Sequence, residues 1–238
     1  MGGAGADTLY VDGATGVSIG AGAGIETAFG NVGGDVFDGT DLTTTANFAG
    51  GDGNDILTGG SGNDTLSGQA GADELHGGSG DDTLYADSDD MIIEGGAGAD
   101  TLYVDGATGV SIGAGAGIET AVGNVGNDVF DGSDLTTSAH FAGGDGNDIL
   151  TGGLGNDILS GDAGNDIIKG QAGADELRGG LGDDTIYADS ADTIIEGGAG
   201  ADTLYVEGAI GVSIGAGAGI ETAFGNVLYS ILDRKRVQ

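Results

Sequence analysis

The sequence predicts an all-β fold: a right-handed parallel β-solenoid in which two parallel sheets face each other and each coil takes 18 residues. Three observations predict this class. The chain has 56 glycines among 238 residues and no proline, and its glycines recur with a fixed period. The chain also contains long repeats, and the spacings between them differ by one whole glycine period. A fixed glycine period distinguishes a repeat protein from a disordered, low-complexity chain.

The short repeat is nine residues long and reads G-G-x-G-x-D-x-U-x, where U is a large aliphatic residue. Its first clear copy, residues 50–58, is GGDGNDILT; further copies follow without a gap to Tyr85, and a second series runs from Gly143 to Tyr187. The three residues around U can form a short strand. The six residues before them must turn the chain, and glycine supplies the positive φ angles at no steric cost.

Two repeats complete one coil, so side chains 18 residues apart stack in columns through the core. Each column carries one aliphatic residue per half-coil, which makes the core thin. The predicted columns are Leu57, Leu75 and Ile93 facing Leu66, Leu84 and Leu102, and then Leu150, Ile168, Ile186 and Leu204 facing Leu159, Leu177 and Ile195.

A long repeat contains the short one. Residues 2–32 and 95–125 differ at one position only, and a third copy begins at Gly197; the two offsets, 93 and 102 residues, differ by one short repeat. We therefore expect one continuous solenoid over residues 1–227, with nonapeptide blocks at 50–103 and 143–205 separated by degenerate coils. Residues 228–238 break the pattern, and we interpret them as either a cap or a truncation junction.

Composition excludes several classes of protein. The absence of cysteine excludes disulfides and thiolate metal sites. With 39 acidic against 5 basic residues and a net charge of −34, nucleic acid is not an expected partner. The sequence has no apolar run long enough for membrane insertion, and repeat sequence follows Met1 directly in place of a signal peptide. An exported protein with this sequence would need another route.

The 18-residue spacing also stacks aspartates at the edges of the turns. Carboxylates about 5 Å apart repel each other strongly unless a cation lies between them. Calcium suits such an edge because it accepts six to eight oxygen ligands in flexible geometry, whereas magnesium demands stricter octahedral geometry. The aligned pairs are Asp55/Asp73, Asp64/Asp82, Asp82/Asp100, Asp148/Asp166, Asp157/Asp175, Asp166/Asp184 and Asp184/Asp202.

The repeat resembles the calcium-binding nonapeptide of the RTX family, the hemolysin-type repeats. The resemblance implies a β-roll with calcium ions between successive turns, held by the sixth-position aspartates and by backbone carbonyls. Seven aligned pairs suggest roughly seven or more ions. The metal ligands implied are Asp55, Asp64, Asp73, Asp82, Asp100, Asp148, Asp157, Asp166, Asp175, Asp184 and Asp202.

Four positions stay outside this predicted set. Asp7 lacks a stacked partner, Asp35 and Asp128 lie beside shifts in the register, and Met91 occupies the sixth position of the repeat 86–94.

We expect a calcium-binding module that folds on binding calcium and stabilises a secreted or cell-surface bacterial protein. The alternative is a glycan-binding module, because Tyr85 and Tyr103, like Tyr187 and Tyr205, are 18 residues apart and should lie side by side on an outer face. Ordinary cross-strand packing also explains these pairs. An uncapped solenoid end also allows end-to-end self-association.

Catalysis is not expected. His76 and His140 are the two histidines of the chain, and neither belongs to a repeated site. The three Gly-Ala-Gly-Ala-Gly segments, at residues 20–24, 113–117 and 215–219, resemble dinucleotide loops only superficially, since no helical pattern follows them. We interpret them as tight turns of the coil.

Overall fold

The computed structural model describes residues 2, 5–208, 210–215, 217–225 and 227–229. Over these residues the chain forms short β-strands and no helix. It divides into two compact units, one made of Met1–Ile112 with Ala116–Val122 and the other of Gly113–Gly115 with Gly123–Gln238. Each unit is a parallel β-solenoid, which confirms the predicted fold class.

The first unit contains thirteen strands, of which the odd-numbered ones pair in order in one sheet and β2, β4, β6, β8 and β10 pair in the other. Their bounds are β1 Thr8–Tyr10, β2 Ser18–Ile19, β3 Thr27–Phe29, β4 Val36–Asp38, β5 Asn47–Asp52, β6 Ile56–Gly60, β7 Thr65–Ala70, β8 Glu74–Ser79, β9 Thr83–Ala86, β10 Ile92–Ala97, β11 Thr101–Val104, β12 Ser111–Ile112 and β13 Thr120–Val122.

In the second unit, β15, β17, β19 and β21 pair in one sheet, the even-numbered strands from β14 to β24 in another, and β23 with β25 in a short third. Their bounds are β14 Val129–Asp131, β15 His140–Asp145, β16 Ile149–Thr151, β17 Ile158–Ala163, β18 Ile167–Lys169, β19 Glu176–Leu181, β20 Thr185–Ala188, β21 Ile194–Ala199, β22 Asp202–Val206, β23 Val212–Ile214, β24 Ile220–Phe224 and β25 Val227–Tyr229.

The strand register confirms the predicted core columns. In the first unit Leu75 lies between Leu57 and Ile93, and Leu84 between Leu66 and Leu102. In the second unit the column from Leu150 to Leu204 and the column from Leu159 to Ile195 are aligned in the same way. All these side chains are buried. The core of the regular coils is therefore one aliphatic side chain deep at each strand.

Each unit also contains one wider coil, in which paired residues are 20 apart along the chain. We call β4 and β5 with their connection the wide coil of the first unit, and β14 and β15 with theirs the wide coil of the second. Val36 pairs with Ile56 in the first, and Val129 with Ile149 in the second. Both wide coils bury two phenylalanines in edge-to-face contact, their ring centroids 5.7 Å apart: Phe37 with Phe48, and Phe130 with Phe141.

The two units place their tyrosine pairs differently with respect to the wide coil. In the first unit β9 and β11, which carry Tyr85 and Tyr103, belong to the same sheet as β5. In the second unit β20 and β22, which carry Tyr187 and Tyr205, belong to the sheet opposite β15. The second block has one additional nine-residue repeat, which is half a coil, and this explains the exchange of sheets.

The first two residues of the predicted tail, Leu228 and Tyr229, belong to β25, which pairs in parallel with β23. Residues 230–238 lie outside the described part of the chain, so the interpretation of the tail as a cap or junction stays a prediction.

None of the described residues forms a helix of the length and apolarity needed to cross a membrane.

Candidate metal centre

One hydrogen bond recurs along both edges of the solenoid. The backbone N–H of an aspartate donates to Oδ1 of the aspartate 18 residues later, and all seven predicted pairs make this bond at 2.7–2.9 Å. The eleven predicted aspartates are no more than 1% exposed. The structure thus stacks the carboxylates of successive coils as the spacing predicts, and buries them between the coils.

The second carboxylate oxygen has no such bond in most of these residues. Oδ2 is buried without a hydrogen-bond partner among the described residues in Asp55, Asp73, Asp82, Asp100, Asp148, Asp166, Asp175, Asp184 and Asp202. In the other two, Asp64 and Asp157, Oδ2 accepts the N–H of Gly60 and Gly153, at 2.6 and 2.7 Å. A buried oxygen with negative charge and no donor is costly, so its presence in nine aspartates points to a ligand.

The first glycine of the repeat borders this oxygen. A Cβ placed on Gly77 would overlap Oδ2 of Asp82, and it would lie 2.5 Å from the carbonyl oxygen of Gly95 in the next coil. The same arrangement recurs at Gly179 with Asp184 and the carbonyl of Gly197. A carboxylate oxygen and a carbonyl oxygen from adjacent coils therefore converge on a space that any larger residue would fill. Hard oxygen donors of this kind fit calcium.

Burial also changes the acidity of these groups. Desolvation in the coil edge raises the pKa of Asp82 and Asp100 to about 6 and that of Asp166 and Asp175 to about 7. The hydrogen bond from the preceding coil opposes this rise, whereas nearby carboxylates add to it. Removal from water without a compensating cation is thus the main cost of the ionised state.

The stack of aspartates also includes Asp35 and Asp128, which lie outside the predicted set. Both are fully buried, and their N–H groups donate to Oδ1 of Asp55 and Asp148, at 2.7 and 2.8 Å. Their coils are 20 residues long, so a search at a fixed spacing of 18 misses them. The local pattern could have found them, because residues 30–38, GNVGGDVFD, differ from the repeat only in Asn31 at the second position and the aromatic Phe37 at the eighth.

A neighbouring aspartate replaces the missing one in the repeat 86–94. Asp90, just before Met91, accepts the N–H of Asp73 through Oδ1 at 3.1 Å, and Asp192 accepts the N–H of Asp175 at 3.3 Å. Desolvation raises the pKa of Asp90 to about 7. The row of stacked carboxylates, which we call the carboxylate ladder, therefore includes the repeat that lacks a sixth-position aspartate.

Asp7 has a carboxylate partner as well. Its N–H donates to Oε2 of Glu26 at 2.8 Å, across a coil of 19 residues. The expectation that Asp7 lacks a stacked partner is wrong, because the partner is a glutamate 19 residues later and not an aspartate 18 residues later.

A cation here would be bound by few side chains and by several backbone oxygens. Among the described residues, no three His, Cys, Asp or Glu side chains are grouped closely enough to hold a metal on their own. The two carboxylates and the glycine-rich carbonyls of adjacent coils make up the donor set that the turns offer.

The two histidines lie away from these edges. His76 is on β8, where its Nδ1 lies 2.9 Å from Oε2 of Glu94. His140 is exposed on β15, opposite Ile158. The tyrosine pairs lie on outer faces as predicted, with ring centroids 5.4 Å apart for Tyr85 and Tyr103.

These features define a class of protein: a parallel β-solenoid whose edges carry buried carboxylates arranged for cations. The family model of the RTX calcium-binding nonapeptide repeat matches residues 49–84, 77–107, 113–134, 140–168, 160–194 and 169–204, more than half of the chain. The chain belongs to this family, whose repeats bind calcium. A search of curated proteins gave no significant match.

Proposed function

We propose that this chain is a calcium-dependent folding module that stabilises a secreted or cell-surface bacterial protein. The observation that supports it most strongly is the row of buried Oδ2 atoms without hydrogen-bond partners in the described residues, nine of which belong to the eleven predicted ligands. In this proposal each of the eleven aspartates supplies a carboxylate oxygen, and glycine carbonyls such as that of Gly95 supply the rest. Calcium would balance the carboxylate charge and complete the donor set.

The energetics favour a fold that depends on the ion. Each regular coil buries one aliphatic side chain per strand, and ordering each residue costs about 1–2 kcal/mol of backbone entropy. The net charge of −34 adds self-repulsion to that cost. Without a cation, the aspartates would therefore favour an expanded chain. With one, binding free energy becomes folding free energy.

The location of the protein follows from the same argument. RTX repeats occur in secreted bacterial proteins. Extracellular calcium modules have dissociation constants of about 10⁻⁴ to 10⁻³ M, so the chain would stay expanded where calcium is scarce and fold where it is abundant. An expanded chain suits passage through a narrow export channel, such as a one-step type I machine.

A calcium titration followed by far-UV circular dichroism tests the proposal. We expect a cooperative change from coil to β signal between chelator and about 10 mM calcium, the range that brackets extracellular calcium modules. Magnesium over the same range serves as the control and should give little β signal. A chain already folded in chelator would show that burial of the aspartates does not require calcium, and would contradict the proposal.

A glycan-binding surface is the second candidate, and the outer aromatic rings favour it. Tyr205 stacks on both Tyr187 and Phe224, with centroids 5.1 Å apart in each case. Tyr205 is 37% exposed and Phe224 51% exposed, so part of the row faces solvent. The replacements Tyr103→Ala and Tyr205→Ala should abolish glycan binding on a carbohydrate array and leave calcium-dependent folding largely intact.

The RTX repeat is typically structural rather than catalytic. We accordingly propose no reaction for this chain. End-to-end self-association stays a prediction from the sequence, which sedimentation velocity in calcium at two protein concentrations would test.

A further inference from the structure

The carboxylate ladders continue into coils where the sixth position of the repeat is a glutamate. Each Gly-Ala-Gly-Ala-Gly segment is followed by Ile and Glu, which gives Glu26, Glu119 and Glu221. Oε2 of Glu119 accepts the N–H of Asp100 at 2.9 Å, and Oε2 of Glu221 accepts that of Asp202 at 2.8 Å. In the regular coils an aspartate Oδ1 makes this bond. The glutamates therefore occupy the aspartate position of coils that are one residue longer.

A second, independent observation points to a ligand at these coils. Asp100 and Asp202 are fully buried, and the Oδ2 atom of each has no hydrogen-bond partner in the described part of the chain. A Cβ built on Gly197 would lie 2.5 Å from both Oδ2 of Asp202 and the carbonyl oxygen of Gly219.

The Gly-Ala-Gly-Ala-Gly turn places that carbonyl. Gly117 and Gly219 adopt left-handed φ angles of 65° and 70°, which side chains rarely tolerate. The carbonyl oxygen of Gly117 lies beside a Cβ built on Gly95, which is 2.6 Å from Oδ2 of Asp100. As in the regular coils, a buried carboxylate oxygen and a carbonyl oxygen from the next coil border the same glycine, and the carboxylate of that next coil accepts the N–H of the same aspartate.

We propose that Asp100, Gly117 and Glu119 form a divalent-cation site of the calcium type, and that Asp202, Gly219 and Glu221 form a second one. This inference rests on the proposed function and extends it to coils without a sixth-position aspartate. The additional methylene of glutamate compensates for the longer coil, so that its carboxylate reaches the position that aspartate occupies elsewhere. Each site adds one ion to those bound by the consensus aspartates.

Counting bound calcium in the full chain tests the proposal. The double variant Glu119→Gln/Glu221→Gln keeps an oxygen acceptor for the two N–H groups but removes both charges. By equilibrium dialysis against radioactive calcium at saturating concentration, it should bind two ions fewer than the wild type. Each single variant should lose one ion, so the test stands if the double variant fails to fold.

The matched control is Glu94→Gln/Glu196→Gln, which removes two exposed charges that face His76 and Arg178 on outer strands. It should bind as many ions as the wild type. A glutamate double variant with the same count and affinity as this control would overturn the inference.

A third variant separates this inference from the proposed function. Asp82→Asn/Asp184→Asn removes consensus carboxylates and should also lower the count. If it does so and the glutamate variant does not, the inference is wrong and the proposed function stands. If neither variant changes the count, the proposed function is wrong and the inference fails with it.

Discussion

The regular coils and the wide coils differ in the number of their edge aspartates and in the size of their core residues. Regular coils carry an aspartate at both edges and leucine or isoleucine in the core. The wide coil of the first unit keeps Asp35 at one edge but has Ala46 at the other, where its N–H still donates to Oδ1 of Asp64 at 2.6 Å. The wide coil of the second unit has Ala139 in the same place, bonded to Asp157 at 2.7 Å.

In both units the wide coil combines a single edge aspartate with the phenylalanine pair. Aromatic pairs contribute about 0.5–1.5 kcal/mol beyond the area they bury. The wide coils therefore have less edge charge and a larger core than the regular coils, so they should depend less on calcium.

Removal of calcium should produce the largest effect, and it should reduce protection from hydrogen exchange more in the regular coils than in the wide coils. With chelator, we expect backbone amides of residues 55–103 and 148–204 to lose nearly all protection from hydrogen exchange, because their buried carboxylates lose the balancing charge. Amides of β4 with β5, and of β14 with β15, should keep more protection at intermediate calcium. Mass spectrometry of peptic fragments measures this, and uniform loss in all coils would contradict the comparison.

Acid should partly replace calcium in the regular coils. Burial raises the pKa of Asp55 and Asp148 to about 6 and that of Asp166 to about 7, above the ordinary value of 3.8. The folded state then binds more protons than the unfolded state, so without calcium stability falls as the pH rises from about 4 to 7. Circular dichroism in chelator should show more β signal at pH 5 than at pH 8. In saturating calcium the order should reverse, because protons compete for the same oxygens.

The loss of stability on replacing a single aspartate should depend on how many carboxylates lie next to it in the stack. Asp166 lies between Asp148 and Asp184, whereas Asp157 has Ala139 on one side and Asp175 on the other. In calcium, Asp166→Ala should lower the free energy of unfolding by about 3–5 kcal/mol, the usual cost of leaving buried charges without a partner. Asp157→Ala should cost less. Equal losses in thermal unfolding would show that stacking on both sides has no additional effect.

Exchanging the core residues of the two coils should produce the smallest effect. Phe48 pairs directly with Leu66, so the two positions can be compared side by side. Phe48→Leu leaves a cavity and should cost about 1–2 kcal/mol. Leu66→Phe overpacks a regular coil and should cost about 1–3 kcal/mol. Denaturant unfolding in saturating calcium measures both, and a neutral result for either would show that core size is not fitted to the coil.

The sequence predicts the regular coils because leucine and aspartate repeat there with the same period. The same spacing of 18 residues therefore predicts both the pairing of Leu57 with Leu75 in the core and that of Asp55 with Asp73 at the edge. In the wide coil of the first unit, the sequence also predicts the edge aspartate, Asp35, once Phe37 is accepted as a core residue.

A fixed spacing of 18 residues does not predict the remaining carboxylates, Asp90 and Glu119, for a physical reason. Asp90 is one residue early and Glu119 is one residue late, yet each accepts the N–H of the aspartate in the preceding coil. A fixed period holds only in the regular coils, where paired residues are 18 apart. It does not describe turns, where glycine allows several paths of different length to the same hydrogen bond.

The additional repeat of the second block has a consequence for how such proteins change over time. Because one repeat is half a coil, gaining or losing a single repeat moves every later residue to the opposite face, and gaining two leaves the faces unchanged. Tyr187 and Tyr205 illustrate the first case in this chain. Whether a duplication is odd or even therefore decides which side of the protein meets its surroundings. A recombination error of 27 nucleotides would be enough to present the same residues to a different neighbour.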